Sequence, residues 1–188
     1  MKKHRLYLKD LIVQQCSPTL AGLKTGSLFS CPFRTEGELR ADIAALNRRL
    51  APKGVHVRIL RVRRRALLYL YRPSSLRRDF AVSEAAMLLR QYGYTVDDAE
   101  ACVTQLCSRL AGTSSFPHEI GLFLGYPAED VRGFIENRAG GCKCVGAWKV
   151  YGDEAEARKR FAQFEKCTRI YQTKFSEGRS IERLTVSS

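Results

Sequence analysis

Apolar residues recur along this chain with two different spacings, and the changes of spacing divide it into elements. Leu8, Leu11, Ile12 and Gln15 fall on adjoining faces of a helix expected over residues 4–15. Cys16-Ser17-Pro18 should interrupt it, because proline lacks the amide proton that a helix interior needs. A turn leads to a short strand at 27–31. Thr35-x-x-Glu38 has capping-box spacing, and Leu39, Ile43, Leu46 and Leu50 then form one helical stripe. From Val55 the period becomes two: Val55, Val57 and Ile59 alternate with His56, Arg58 and Leu60. Arg63-Arg64 supply a turn, and residues 66–71 return as a strand. That return strand is apolar on both faces, so it is expected inside a sheet rather than at its edge.

The second half reads as helical. Ser83 suits the cap of a helix at 84–92 with Gly93 as its stop, and Thr95-x-x-Asp98 suits the cap of one turning Ala99, Val103, Leu106 and Leu110 inward before Gly112. Pro117 and Pro127 fit the first turns of two short helices, one ending near Gly125, the other carrying Val131, Phe134 and Ile135 before Gly140-Gly141. Residues 142–151 read as one strand, with Cys142, Cys144, Trp148 and Val150 on one side and Lys143, Val145, Lys149 and Tyr151 on the other. Gly152-Asp153 then caps a long helix in which Phe161, Phe164, Thr168, Tyr171 and Phe175 repeat at core spacing. The expected fold is α+β: a single domain over residues 1–188, with a small mixed or antiparallel sheet of about four strands covered by six or seven helices.

Composition agrees with a globular fold, at 45% apolar and 10% aromatic residues. The longest wholly apolar stretch, residues 66–71, is far below the roughly 20 residues that span a bilayer, so no membrane partner is expected. Lys2, Lys3, His4 and Arg5 lead into Leu-Tyr-Leu-Lys-Asp, which breaks an apolar signal region before it forms. Seven cysteines, an odd number in a chain too long to need stapling, point to reduced thiols and a cytoplasmic location. Charge is more informative. The formal net charge is +13, and residues 34–78 alone carry +10 while residues 81–137 carry −5, which predicts one basic face.

Four kinds of chemistry can be drawn from these residues. Cys16, beside Pro18 at the start of a helical turn, would have its thiolate favoured by unpaired amides, and His118 with Glu119 beside it would complete a thiol hydrolase or transferase. Cys142, Cys144 and Cys167 offer three thiolates and Cys102 with Cys107 two more, but none of these spacings matches a metal site, so no metal is expected. Arg58, Arg61, Arg63, Arg64, Arg65, Arg77 and Arg78, with Arg72, Tyr69 and Tyr71 among them, have the composition of a phosphate-neutralising ribbon for nucleic acid. Glycines 121, 125, 133 and 146 permit close approach of a ligand or of backbones, with Tyr126, Trp148, Lys149 and Tyr151 supplying stacking and charge.

Three blocks carry a resemblance. Cys16-Ser17-Pro18-Thr19-Leu20-Ala21-Gly22-Leu23-Lys24, Phe116-Pro117-His118-Glu119-Ile120-Gly121-Leu122-Phe123-Leu124-Gly125-Tyr126-Pro127 and Trp148-Lys149-Val150-Tyr151-Gly152 resemble the signature blocks of an uncharacterised bacterial family from anaerobic Firmicutes. The resemblance implies a bacterial cytosolic protein and supplies no activity, cofactor or catalytic residue. The blocks contain Asp130 nearby and leave the Arg-rich hairpin outside. The leading expectation is a small anionic ligand or partner held in a cleft by Thr19, Lys24, Tyr126, Trp148, Lys149 and Tyr151. His118 should then lie within about 10 Å of Cys16 or Lys149, a span one small ligand bridges. The thiol enzyme and nucleic-acid binding are the alternatives; cofactor and oligomeric state have no signal.

Overall fold

The computed structural model describes residues 8–112 and 116–187, so residues 4–7 of the expected first helix lie outside the described residues. The central sheet is a three-stranded antiparallel one formed by β1 (Gly26–Cys31), β2 (His56–Val62) and β3 (Ala66–Tyr71) in the order β1-β3-β2. Gly26 and His56 both face Tyr71, one on each side of β3. A bulge between Ile59 and Arg61 takes up one residue near the hairpin tip. The double-sided apolar strand is therefore the middle one, with no open edge.

Alternation along β3 feeds two cores. Ala66, Leu68 and Leu70 pack with α1 (Leu8–Leu20) and α2 (Glu36–Leu50), where Leu11, Ile12, Cys16, Leu20 and the stripe from Leu39 to Leu50 are buried. Tyr69 and Tyr71 point the other way, into a core shared by α3 (Pro73–Phe80), α4 (Ser83–Gln91), α5 (Ala99–Gly112), α6 (Ile120–Phe123) and α7 (Ala128–Glu136). A third, smaller cluster gathers Trp148, Val150, Ala157 and Phe164 where β4 (Cys144–Val145) and β5 (Lys149–Val150) meet α8 (Glu154–Ser176). A last short helix, α9 (Ile181–Leu184), buries Ile181 against α1 and α2.

Several expectations are met by local chemistry. The Thr35 hydroxyl caps α2 by accepting from the Glu38 amide, and Asp153 caps α8 by accepting from Glu156. Others need correction. Asp98, not Thr95, caps α5, accepting from the amides of Glu100 and Ala101. The helix α1 does not stop before Pro18 but runs to Leu20. Pro18 lies in its last turn, where the missing amide costs a single bond. Residues 142–151 are not one strand: Gly146-Ala147 reverse the chain, Cys144 pairs with Val150, and Val145 pairs with Lys149. The four-stranded sheet thus becomes separate sheets of three and two strands. Nine α-helices occur among the described residues instead of six or seven; α3 and α9 carry too few apolar positions to show a period.

Arg72 joins these parts. It is only 2% exposed, and its guanidinium donates to the carbonyls of Thr19, Leu20 and Val186, each at 2.7 Å. One buried side chain thereby satisfies the end of α1 and anchors the chain after α9. Arg72 belongs to the core and not to a phosphate-binding ribbon.

Candidate functional site

The β4–β5 hairpin is held in place by one carboxylate. Asp130, in the first turn of α7 and 3% exposed, accepts from the Trp148 indole at 2.6 Å and from the amides of Tyr151 and Gly152 at 2.7 and 2.8 Å. The close approach requires glycines. A Cβ at Gly133 would meet the Tyr151 ring and one at Gly146 the Phe161 ring, so these two serve packing rather than a ligand.

Trp148 is consequently fixed in a stack. Tyr126 lies along it with ring centroids 4.9 Å apart, Phe161 meets it edge-on at 4.6 Å, and the Arg160 guanidinium stands 5.0 Å from its centroid. Tyr126 is itself anchored by donating its hydroxyl to the Ala147 carbonyl at 3.0 Å. Between this stack and the α6–α7 region lies a cavity of about 290 Å³, lined by Phe116, His118, Ile120, Tyr126, Val131, Phe134, Val145, Trp148 and Lys149. His118 is exposed and meets Phe134 edge-on at 5.1 Å. Lys149 donates to the Ala139 carbonyl at 2.7 Å, with its ammonium 5.9 Å from the Phe134 ring. Phe116 and Val145 stand at the mouth, 40% and 68% exposed.

The residues named from sequence separate into two groups. His118, Tyr126, Trp148 and Lys149 line this cavity, and Lys24 is 5.3 Å from the Tyr126 ring in a neighbouring one. The others serve the fold. Cys16 has no exposed surface and packs on the α2 side of the sheet, where burial pushes its thiol up to about 12 despite nearby Lys24. Thr19, equally buried, shares a hydroxyl bond of 2.8 Å with Ser27 and ties α1 to β1. Glu119 is 2% exposed and committed to the Tyr94 hydroxyl at 3.0 Å and Arg109 at 3.2 Å. Cys16, His118 and Glu119 therefore form no nucleophile, base and orienting carboxylate. Tyr151 lays its ring on Gly133.

The expected single basic face is also divided. Arg63 and Arg64 are exposed at the hairpin tip, whereas Arg77 and Arg78 lie on α3 beyond the opposite end of β3. Six strand residues put roughly 20 Å between these ends. Arg58 pairs with Glu100 at 3.4 Å, and Arg65 is drawn back onto Ser30; Arg61 is half-buried. Tyr69 and Tyr71 stack on each other inside the core, their hydroxyls donating to the Phe123 carbonyl and to Glu100, so neither is free to stack on a base. Sequence reasoning passed over Arg160, named Asp130 only as part of the resembling blocks, and read Phe134 only as a helix residue. Asp130 was visible as an acid just after Pro127, but nothing in its spacing shows what it caps.

All seven cysteines are free thiols, and among the described residues no group of three or more His, Cys, Asp or Glu is placed to hold a metal. Cys107, Cys142 and Cys144 are partly exposed, with burial raising the Cys107 thiol, while Cys16, Cys31, Cys102 and Cys167 are buried. Brief alkylation of the native protein should therefore label Cys142 and Cys144 first, with Cys16 labelled only on unfolding, as peptide mass mapping would show. Early labelling of Cys16 would contradict its place in the core.

None of the described helices is long and apolar enough to cross a membrane. No curated protein and no solved structure matches the chain. A family model does match, over residues 12–185, a span that takes in all three sequence blocks and both cavities; the chain belongs to the family described as protein of unknown function (DUF3793).

Proposed function

We propose that this protein binds a small molecule carrying a flat apolar ring and an acidic group, in the cavity beside Trp148. The observation that carries the reading is the lining: aromatic walls around about 290 Å³, with large apolar side chains left exposed at the mouth. Water-facing Phe116 and Val145 gain nothing there unless something covers them. Aromatic walls select a ring, and Lys149 selects the acid, since an ammonium has three donors and Ala139 takes one. His118 stands at the same rim and offers ring nitrogens to the acid. The rings are preorganised, because the hydrogen bonds from Trp148 to Asp130 and from Tyr126 to Ala147 fix their orientation.

The probe is 8-anilinonaphthalene-1-sulfonate, an aromatic anion. Trp148 is the only tryptophan, so quenching of its emission reports a probe bound near it, and a variant at the mouth ties that binding to this cavity. Binding should be saturable, with Trp148 emission quenched in step. Val145→Asp, at an exposed position where the fold is indifferent to polarity, should weaken the probe about tenfold, the equivalent of one lost valine contact. Equal binding by the variant would reject the site.

A further inference from the structure

A second cavity, of about 390 Å³, lies on the other side of the chain's turn at Tyr126, walled by the α1–β1 turn, α3 and the α6–α7 turn. We propose that it binds a phosphate group, free or as a monoester, held by Lys24, Arg78 and Arg160. This inference is independent of the aromatic site, with which the cavity shares Tyr126.

Three cations and one carboxylate, Asp79, face this space. The sum is +2, which a phosphate dianion cancels and a single carboxylate ligand does not. Among the described residues, none of the three cations forms a salt bridge with an acid. Arg78 bonds the Ser75 hydroxyl at 3.2 Å, and Arg160 donates to the Gly125 carbonyl at 3.2 Å while resting over Trp148 and Phe164. Each guanidinium is thus positioned through one edge, with donors remaining for an oxyanion. Lys24 leans on the Tyr126 ring, which stabilises an ammonium only weakly compared with the water it has lost. Its desolvation and the charge of Arg160 are the reasons its pKa is pushed down to about 8, the former larger.

Asp79 does not oppose this assignment. Its carboxyl accepts from the Thr25 hydroxyl, and burial raises its pKa. Its charge is already counted in the sum of +2 and is turned to the Thr25 hydroxyl, which leaves the three cations for the dianion. Gly125 fixes the wall. It has φ +74°, and a Cβ there would strike Thr25. The conformation that brings the Gly125 carbonyl to Arg160 is therefore open only to glycine.

The test is thermal unfolding with inorganic phosphate, phenyl phosphate and, as a monoanion control, acetate, on wild type, Lys24→Met, Arg78→Met and Val145→Asp. Either phosphate should raise the wild-type melting temperature saturably, and acetate should not. Lys24→Met and Arg78→Met should each weaken that response at least tenfold. Removing a desolvated charge should also make Lys24→Met melt a few degrees higher than wild type without ligand, so its loss of response is not a loss of fold. Around Lys24 the other titratable and charged groups are Cys16 and Tyr126, both raised by burial to about 12, Asp79, also raised by burial, Arg78 and Arg160, with Glu165 and Arg169 on the α8 side. The wild-type response should accordingly weaken as pH rises through about 8. Tighter binding of phenyl phosphate identifies a monoester, and equal or weaker binding identifies free phosphate. Val145→Asp should respond as wild type does, so failure of the aromatic site leaves this result readable. No response in wild type, or the same response in all four proteins, overturns the proposal.

Discussion

Arg72→Met is expected to destabilise the protein by about 3–5 kcal/mol, the loss of three charge-assisted hydrogen bonds made by one buried guanidinium. The effect is large because the guanidinium serves three carbonyls at once, at the end of α1 and beyond α9, in a place water does not reach. Each charge-assisted hydrogen bond lost costs about 1.5–3 kcal/mol, softened at Thr19 and Leu20, whose carbonyls keep the amides of Gly22 and Val186 as donors. Methionine fills much the same space, so the loss reports hydrogen bonding rather than a cavity. Against a total stability of about 5–15 kcal/mol, this variant should unfold at a much lower urea concentration. Arg72→Lys should recover less than half, since one ammonium cannot reach three acceptors set out for a planar fork. A loss below about 1 kcal/mol would show that these carbonyls find other donors.

Asp130→Ala comes next, with an expected cost of about 2–4 kcal/mol. Its carboxylate fixes the Trp148 indole and two backbone amides of the segment after β5. Without it the two-stranded hairpin, too short to stand alone, loses its attachment to α7. Trp148 emission should move to longer wavelength as water reaches the ring. Asp130→Asn should fall between, keeping an acceptor for the amides but turning a donor or a weaker acceptor toward the indole. Wild-type stability and emission in Asp130→Ala would place the support of the hairpin elsewhere.

How far the molecule was legible in its sequence depended on whether one principle governed a segment. The helix α2 could be read in full because its cap, its stripe from Leu39 to Leu50 and its polar face agree. The interior position of β3 followed from having no polar residue on either face. Pro18 misled because its rule applies to helix interiors and this helix ends two residues later. At 142–151 the alternation continues through Gly146, so a reversal looked like a straight strand.

At the site the difficulty was of another kind. Thr19, Glu119 and Cys16 have the chemistry of functional residues, yet each is buried and satisfied within the fold. Burial and partners are tertiary properties that spacing does not carry. Of the rings that make the cavity, Tyr126 and Trp148 stand out beside their glycines, whereas Phe116 and Phe134 read locally as ordinary core residues. Positive charge was visible as a cluster, but β3 divides it, and Arg160, distant in sequence, joins Lys24 and Arg78.

The most direct measurement of ligand binding beside Trp148 is nitrogen-15 NMR of the tryptophan indole. With one tryptophan the spectrum holds a single indole signal, from the Nε1–H that Asp130 accepts. Titration with 2-naphthoate, a flat ring bearing one acidic group, should shift that signal saturably in wild type. Val145→Asp should need about ten times more ligand for the same shift. An indole signal that stays in place while backbone amides elsewhere move would contradict a ligand site in this cavity.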